Sequence, residues 1–168
     1  MSAMHKVKRG DKMKIRSLKT LVLAILFPLS VGLLSSLFTI ENMDIYNRIY
    51  KPSIAPPGIV FPIVWTLLFI LMGIASYFVY LSESPYRENA LKAYGIQLII
   101  NFLFNIIFFN LNEFFFAFLW TILLLFVNII MIQLFYRCDK RAGYLLIPYI
   151  LWNVFAILLS FCVYALNR

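Results

Sequence analysis

Lys51-Pro-Ser-Ile-Ala-Pro-Pro-Gly-Ile-Val-Phe-Pro-Ile-Val-Trp65 lies between two long apolar runs and holds four of the chain's seven prolines. Pro52, Pro56 and Pro57 each lack an N–H and hold φ near −65°. The residues before them are driven out of the α region. The stretch is expected to be a stiff, extended loop that stops one helix and aims the next. Gly58 admits backbone angles that other residues avoid. Pro62 falls in the first turns of the following helix, where a missing N–H does least harm. A loop this rigid, set between apolar segments, is expected to cover or line something.

Those apolar segments define the class. The chain is 63% hydrophobic and 13% charged, against roughly a quarter charged in soluble domains. Too few polar residues remain to coat a soluble surface. The expected fold class is all-α, an integral membrane bundle of five transmembrane helices. Upstream of the loop, Leu18–Ile40 exceeds the ~20 residues that span a bilayer. It is too long for a signal-peptide apolar region, and Pro28 is a point where it could kink. Downstream, the expected spans are 59–81, 93–110, 114–136 and 142–166. Residues 1–17 read as a basic, solvated, disordered tail, and 18–167 as the membrane domain.

Charge placement orients the bundle. Of the fifteen Lys and Arg, twelve fall on the side of the N-terminus: the tail, Lys19, and the loops at 82–92 and 137–141. Only Arg48, Lys51 and Arg168 fall on the other. The positive-inside rule places the N-terminus in the cytoplasm and the C-terminus outside. The net charge of +8 is therefore topological, and no nucleic-acid partner is expected. Cys138 and Cys162 fall near opposite membrane faces, beyond disulfide reach.

Three inward faces carry polar or aromatic side chains. On the third span, Gln97, Asn101, Asn105 and Phe108 share one side. On the fifth, Tyr149, Trp152, Asn153, Ala156 and Ser160 do so. On the second, Trp65, Phe69 and Met72 recur at helical spacing. Each face has two readings that the residues leave open. One is close helix packing with an amide seam. The other is an aromatic-walled cavity with a few amide anchors, suited to a flat apolar ligand. Spans two to five carry no charge between their end loops, so no proton relay or ion site of the usual kind is present. No Cys/His cluster offers a metal site, and no Ser/His/Asp set or glycine-rich phosphate loop appears. Hydrolytic and nucleotide-driven chemistry are disfavoured, and no metal or cofactor is expected.

The run Lys51-Pro-Ser-x-x-Pro-Pro-Gly58 with Phe61-Pro-x-x-Trp-Thr66 resembles the signature of the tryptophan-rich sensory protein/translocator protein family (TspO/MBR, peripheral-type benzodiazepine receptor relatives). Met72-Gly-Ile-Ala75 continues the likeness. So do Gln97-x-x-x-Asn101-x-x-x-Asn105-x-x-Phe-Phe109 and Leu145-Leu-Ile-Pro-Tyr-x-x-Trp152-x-x-Phe-Ala156. The resemblance covers about residues 18–167. It implies a five-helix bundle, commonly a homodimer, in a bacterial cell membrane. It implies binding of porphyrins such as protoporphyrin IX, and of isoquinoline and benzodiazepine ligands. The implied pocket comprises Tyr46, Pro56, Phe61, Trp65, Phe69, Asn101, Phe104, Asn105, Phe108, Trp152, Ala156 and Ser160. The implied role is a receptor or sensor. Light-dependent porphyrin degradation, with Trp65 and Trp152 as redox partners, is the alternative, and transport of lipophiles a third. The chain departs from the family pattern at Ile54, Ile59 and Phe104, where aromatics are usual. Leu159–Arg168 fits a short pattern proposed for cholesterol contact, which a chain rich in Leu and Tyr meets by chance.

Overall fold

The computed structural model describes residues 3–42 and 44–168, with side chains from Leu18 onward. The tail expected over residues 1–17 concerns side chains outside that set. Helix α1 runs Ala3–Thr39, and its apolar crossing segment, with a short 3₁₀ turn, is Leu18–Asn42. Helix α2 is the single turn Ile45–Arg48. Helices α3 (Val60–Leu81), α4 (Arg87–Asn105) and α5 (Phe114–Cys138) follow, then α6 (Lys140–Leu145) and α7 (Ile147–Leu166). Five segments are long and apolar enough to cross a membrane, and no strand occurs among the described residues.

The proline stretch is folded rather than extended. Ala55 N donates to Pro52 O at 2.9 Å, closing one turn, and Val60 N donates to Pro57 O at 2.9 Å, closing a second that opens α3. A fixed φ near −65° suits turns as well as extended chain, and the i→i+3 bonds decide between them. Pro62 lies at the third position of α3, where its N–H is not missed.

Two other boundaries differ from expectation. The third span begins at Arg87, not at the first apolar residue. Arg87 N bonds Ser84 O at 3.1 Å, and Glu88 pairs with Lys92 at 2.7 Å across one helical turn. Charge thus supports the helix start instead of marking a loop. The last span is broken. Leu146 leaves helical geometry (φ −96°, ψ 0°) and α7 restarts with Pro148 in its first turn. A proline ring clashes with the carbonyl four residues back, here that of Tyr144, so one straight helix across 142–166 is not available. Between α4 and α5 the helix widens into a π turn, Ile106–Asn110, where Leu111 N donates to Ile106 O at 3.0 Å. Asn112 then takes φ 59°, a left-handed angle that Asn tolerates better than most residues.

In a bilayer the helices gain little from hiding apolar surface, because lipid is as apolar as leucine. Close approach and polar contacts do more. The buried positions fit that rule. Ala75, Ala90, Ala117 and Ala142 have no exposed surface. At Gly73 a Cβ would meet the backbone of Ile25 at 2.5 Å, so this glycine sets the α1–α3 contact. The core proper gathers Leu68, Met72, Val79, Leu98, Met131, Phe135 and Tyr149. Leu23, Leu33, Phe126 and Leu151 point outward with more than 60% of their surface exposed, as side chains facing lipid do. The protein is an integral membrane protein. Cys138 and Cys162 are both free.

Candidate functional site

The folded proline loop rests on aromatic rings. Tyr46 of α2 is buried, and its hydroxyl donates to Pro56 O at 2.8 Å. Its ring meets Phe61 edge-on at 5.2 Å. Phe61 meets Trp152 of α7 at 5.9 Å, again edge-on. Trp152 continues to Phe155 at 5.4 Å. A parallel strip descends α3, where Trp65 lies 5.5 Å from Phe69. Trp65 also stands edge-on to Tyr149 of α7 at 6.1 Å. Ring faces and edges alternate in a way their quadrupoles favour.

From α4, Phe104 approaches Phe108 at 5.9 Å, and Phe108 meets Phe114 at 5.4 Å. Phe104, Phe108, Phe61 and Phe155 belong to one apolar cluster, which Ala55 of the loop and Ile49 close from outside. Asn101 Nδ2 donates to the Tyr149 hydroxyl at 3.2 Å. Tyr46, Pro56, Phe61, Trp65, Phe69, Phe104, Phe108, Trp152 and, through Tyr149, Asn101 are therefore drawn together beneath the loop.

Asn105 is placed differently. Its Nδ2 donates to Ser35 Oγ at 2.7 Å and so ties α4 to α1. Ala156 is half-buried and Ser160 buried on α7, one and two turns beyond Trp152 on the same face.

Several residues of the site were not singled out by sequence. Lys51 places Nζ 4.4 Å above the Tyr46 ring, a cation at the mouth of the stack. Asn167 accepts from Tyr50 N at 2.9 Å through Oδ1 and donates to Tyr50 O at 2.9 Å through Nδ2. That pairing fastens the start of the loop to the end of α7. Asn128 lies fully buried on α5; an amide in the middle of an apolar span was its signal. The third tryptophan, Trp120, donates to Ile100 O at 2.7 Å and serves the α4–α5 contact. Beside α2 a separate cleft of about 370 Å³ is lined by Glu41, Asn42, Asp44, Ile45, Arg48, Phe109 and Asn112.

Burial raises the Tyr46 hydroxyl above the ordinary tyrosine range, so it remains a donor to Pro56. No group of three or more metal-ligating side chains occurs among the described residues. The stack presents ring faces, one mouth cation and neutral amides. Such a set can hold and orient a flat apolar molecule.

Fold and site together define a five-span helical membrane protein with an aromatic stack closed by a proline loop. The chain belongs to the TspO/MBR family, whose sequence profile matches residues 24–166. It is 35% identical over 149 residues to the tryptophan-rich protein TspO of Archaeoglobus fulgidus, covering 88% of this chain and 96% of that one. It is 35% identical over 158 residues to the protein of the same name from Chlorobaculum tepidum, covering 90% and 98%. It is 30% identical over 131 residues to the human Translocator protein, covering 76% and 78%.

Proposed function

We propose that this protein is a membrane receptor or sensor that binds porphyrins of the protoporphyrin IX type, and similar flat lipophiles, in the aromatic stack under the 51–62 loop. One observation carries the reading. Rings from α2, α3 and α7 converge in the sequence Tyr46, Phe61, Trp152 directly beneath the Tyr46–Pro56 hydrogen bond. Ring edges and faces are the groups that hold a macrocycle, and Lys51 is placed to answer an acidic edge. The sensory-protein name of the relative from Cereibacter sphaeroides agrees with this reading. The N-terminus lies in the cytoplasm of a bacterial cell, and two copies form a homodimer. The test is a dark titration of detergent-purified protein with protoporphyrin IX, followed by tryptophan quenching. Saturable binding is expected, and unsaturable partitioning would overturn the reading.

A second reading is photo-oxidative breakdown of the bound porphyrin. It is favoured by the placing of Trp65 and Trp152 about one aromatic neighbour apart, since Trp65 touches Tyr149 and Trp152 lies one turn along α7. Illumination of the complex separates the two readings. Product formation that disappears in Trp65→Phe/Trp152→Phe would support the enzyme. Binding without photoproduct would leave the sensor.

A further inference from the structure

Around the middle of the spans lies a group of neutral polar side chains from three helices. Gln97 and Asn101 come from α4, Asn128 from α5, and Tyr149 and Asn153 from α7. Each sits close to the middle of its membrane span. Each is at most 4% exposed. Spacing of four residues puts Gln97 over Asn101 and Tyr149 over Asn153 on inward faces. Asn101 links the two helices through the Tyr149 hydroxyl, and Asn128 faces that same hydroxyl from α5.

The hydrogen bonding of this group is incomplete. Gln97 Nε2 reaches only the weak acceptor Met72 Sδ, at 3.3 Å. Gln97 Oε1, both amide atoms of Asn128 and Asn153 Nδ2 have no partner. Each such atom has given up its hydration with no hydrogen bond in return where water is excluded. A structural seam pairs its amides across helices. Here four amide atoms on three helices are left over close to the middle of their spans, where Tyr149 stands edge-on to Trp65 at 6.1 Å.

We propose that Asn128 and Asn153, with Gln97, form a mid-membrane subsite for an uncharged donor–acceptor group on a flat lipophilic ligand. The inference rests on the ligand-site reading given above and adds a chemical selectivity to it. The subsite offers two amide donors, Asn128 Nδ2 and Asn153 Nδ2, and two carbonyl acceptors, Gln97 Oε1 and Asn128 Oδ1. It has no charged side chain. A carboxylate placed there loses its hydration with no cation in return. A lactam, a ketone beside an N–H, or a pyrrole edge satisfies both kinds of atom. Lys51 stands at the other end of the stack, over Tyr46. A ligand with one acidic edge is therefore held with that edge toward the loop and its neutral edge toward the amides.

The experiment compares two flat neutral probes on the full chain in detergent, each corrected against protein-free micelles. Acridone carries an N–H opposite a C=O. Anthracene has the same ring outline and no polar atom. Two satisfied hydrogen bonds correspond to about tenfold tighter binding of acridone by wild type. In Asn128→Leu/Asn153→Leu the ratio is expected to fall close to one. Equal affinities in wild type, or a preference that survives the double substitution, overturn the subsite. Protoporphyrin IX is titrated in the same preparation. If neither it nor the probes bind, the ligand-site reading falls and the subsite with it. If anthracene or protoporphyrin binds and acridone is not preferred, the subsite alone falls. Thermal melting of the ligand-free Asn128→Leu protein gives an independent check. An amide without partners is replaced by leucine with no loss of Tm. A clear drop in Tm would identify a structural seam and overturn the proposal.

Discussion

At the scale of single residues, Tyr46 joins the loop to the stack. Its hydroxyl holds Pro56 O while its ring packs on Phe61. Tyr46→Phe keeps the ring contact and removes the bond, which is worth about 1 kcal/mol. The expected result is roughly fivefold weaker protoporphyrin binding by tryptophan quenching; unchanged affinity would separate the loop from the site. The same bond has a pH dependence. Burial raises the Tyr46 pKa above its ordinary 10.0, so the phenol stays protonated longer in the folded protein than in the unfolded chain. Its stabilising effect is complete below the unfolded pKa and is lost as pH rises through the folded one. Residue identity at the rings was legible in the sequence because aromatic spacing on α3 and α7 is periodic. Partnership was not. Asn105 and Asn101 occupy one helical face, yet one bonds Ser35 of α1 and the other Tyr149 of α7. Four residues on a helix advance the face by about 40°, enough to change which neighbour an amide meets.

At the scale of elements, the start of the loop is held by a side chain far away in sequence. Tyr50 pairs with Asn167 through two hydrogen bonds of 2.9 Å, and Asn167 Nδ2 also caps Val163 O at 2.8 Å. Asn167→Ala removes both roles. Amide exchange at Tyr50 and across 53–60 is expected to quicken, and protease cleavage near Ser53 to appear, while the exchange of α3 stays slow. Unchanged exchange in the loop would show that its two internal turns hold it unaided. The α5–α6 junction behaves differently. Asp139 is extended and accepts from Arg141 N at 2.8 Å, starting α6. The Arg141 side chain bonds the same carboxylate and lowers its pKa below the ordinary range. Stability from this contact is present above the unfolded pKa of Asp139 and is lost as pH falls through the folded one. Melting of Asp139→Asn against wild type over pH 7 to 3 is expected to converge at the acid end, and a constant difference would count against it. Neither junction was readable in advance. Hydropathy ends a span where apolar residues stop, whereas helix ends are set by caps and prolines. The early start of α4 at Arg87 and the break at Leu146 are both of that kind.

At the scale of the whole molecule, five spans were legible because lipid imposes length and apolarity on each of them. Orientation rests on a different signal, the unequal count of Lys and Arg in the connecting loops. The proline loop and the 82–86 connection lie at opposite ends of α3, so one of them faces the cytoplasm and the other does not. The structure makes the pair testable, since Ser53 and Glu83 are both exposed. In a background of Cys138→Ser and Cys162→Ser, Ser53→Cys and Glu83→Cys each place one thiol at one end. With a membrane-impermeant maleimide on intact cells, the loop variant is expected to label at once, and the Glu83→Cys variant only after permeabilisation. That result places the aromatic stack and its Lys51 mouth toward the outside, so a ligand arriving from there meets the loop first. The reverse pattern would place the loop on the cytoplasmic side, where the site would draw on molecules made within the cell. Equal labelling of both variants in intact cells would mean that the chain inserts in two orientations, and that a charge excess of twelve to three does not fix the direction of this bundle.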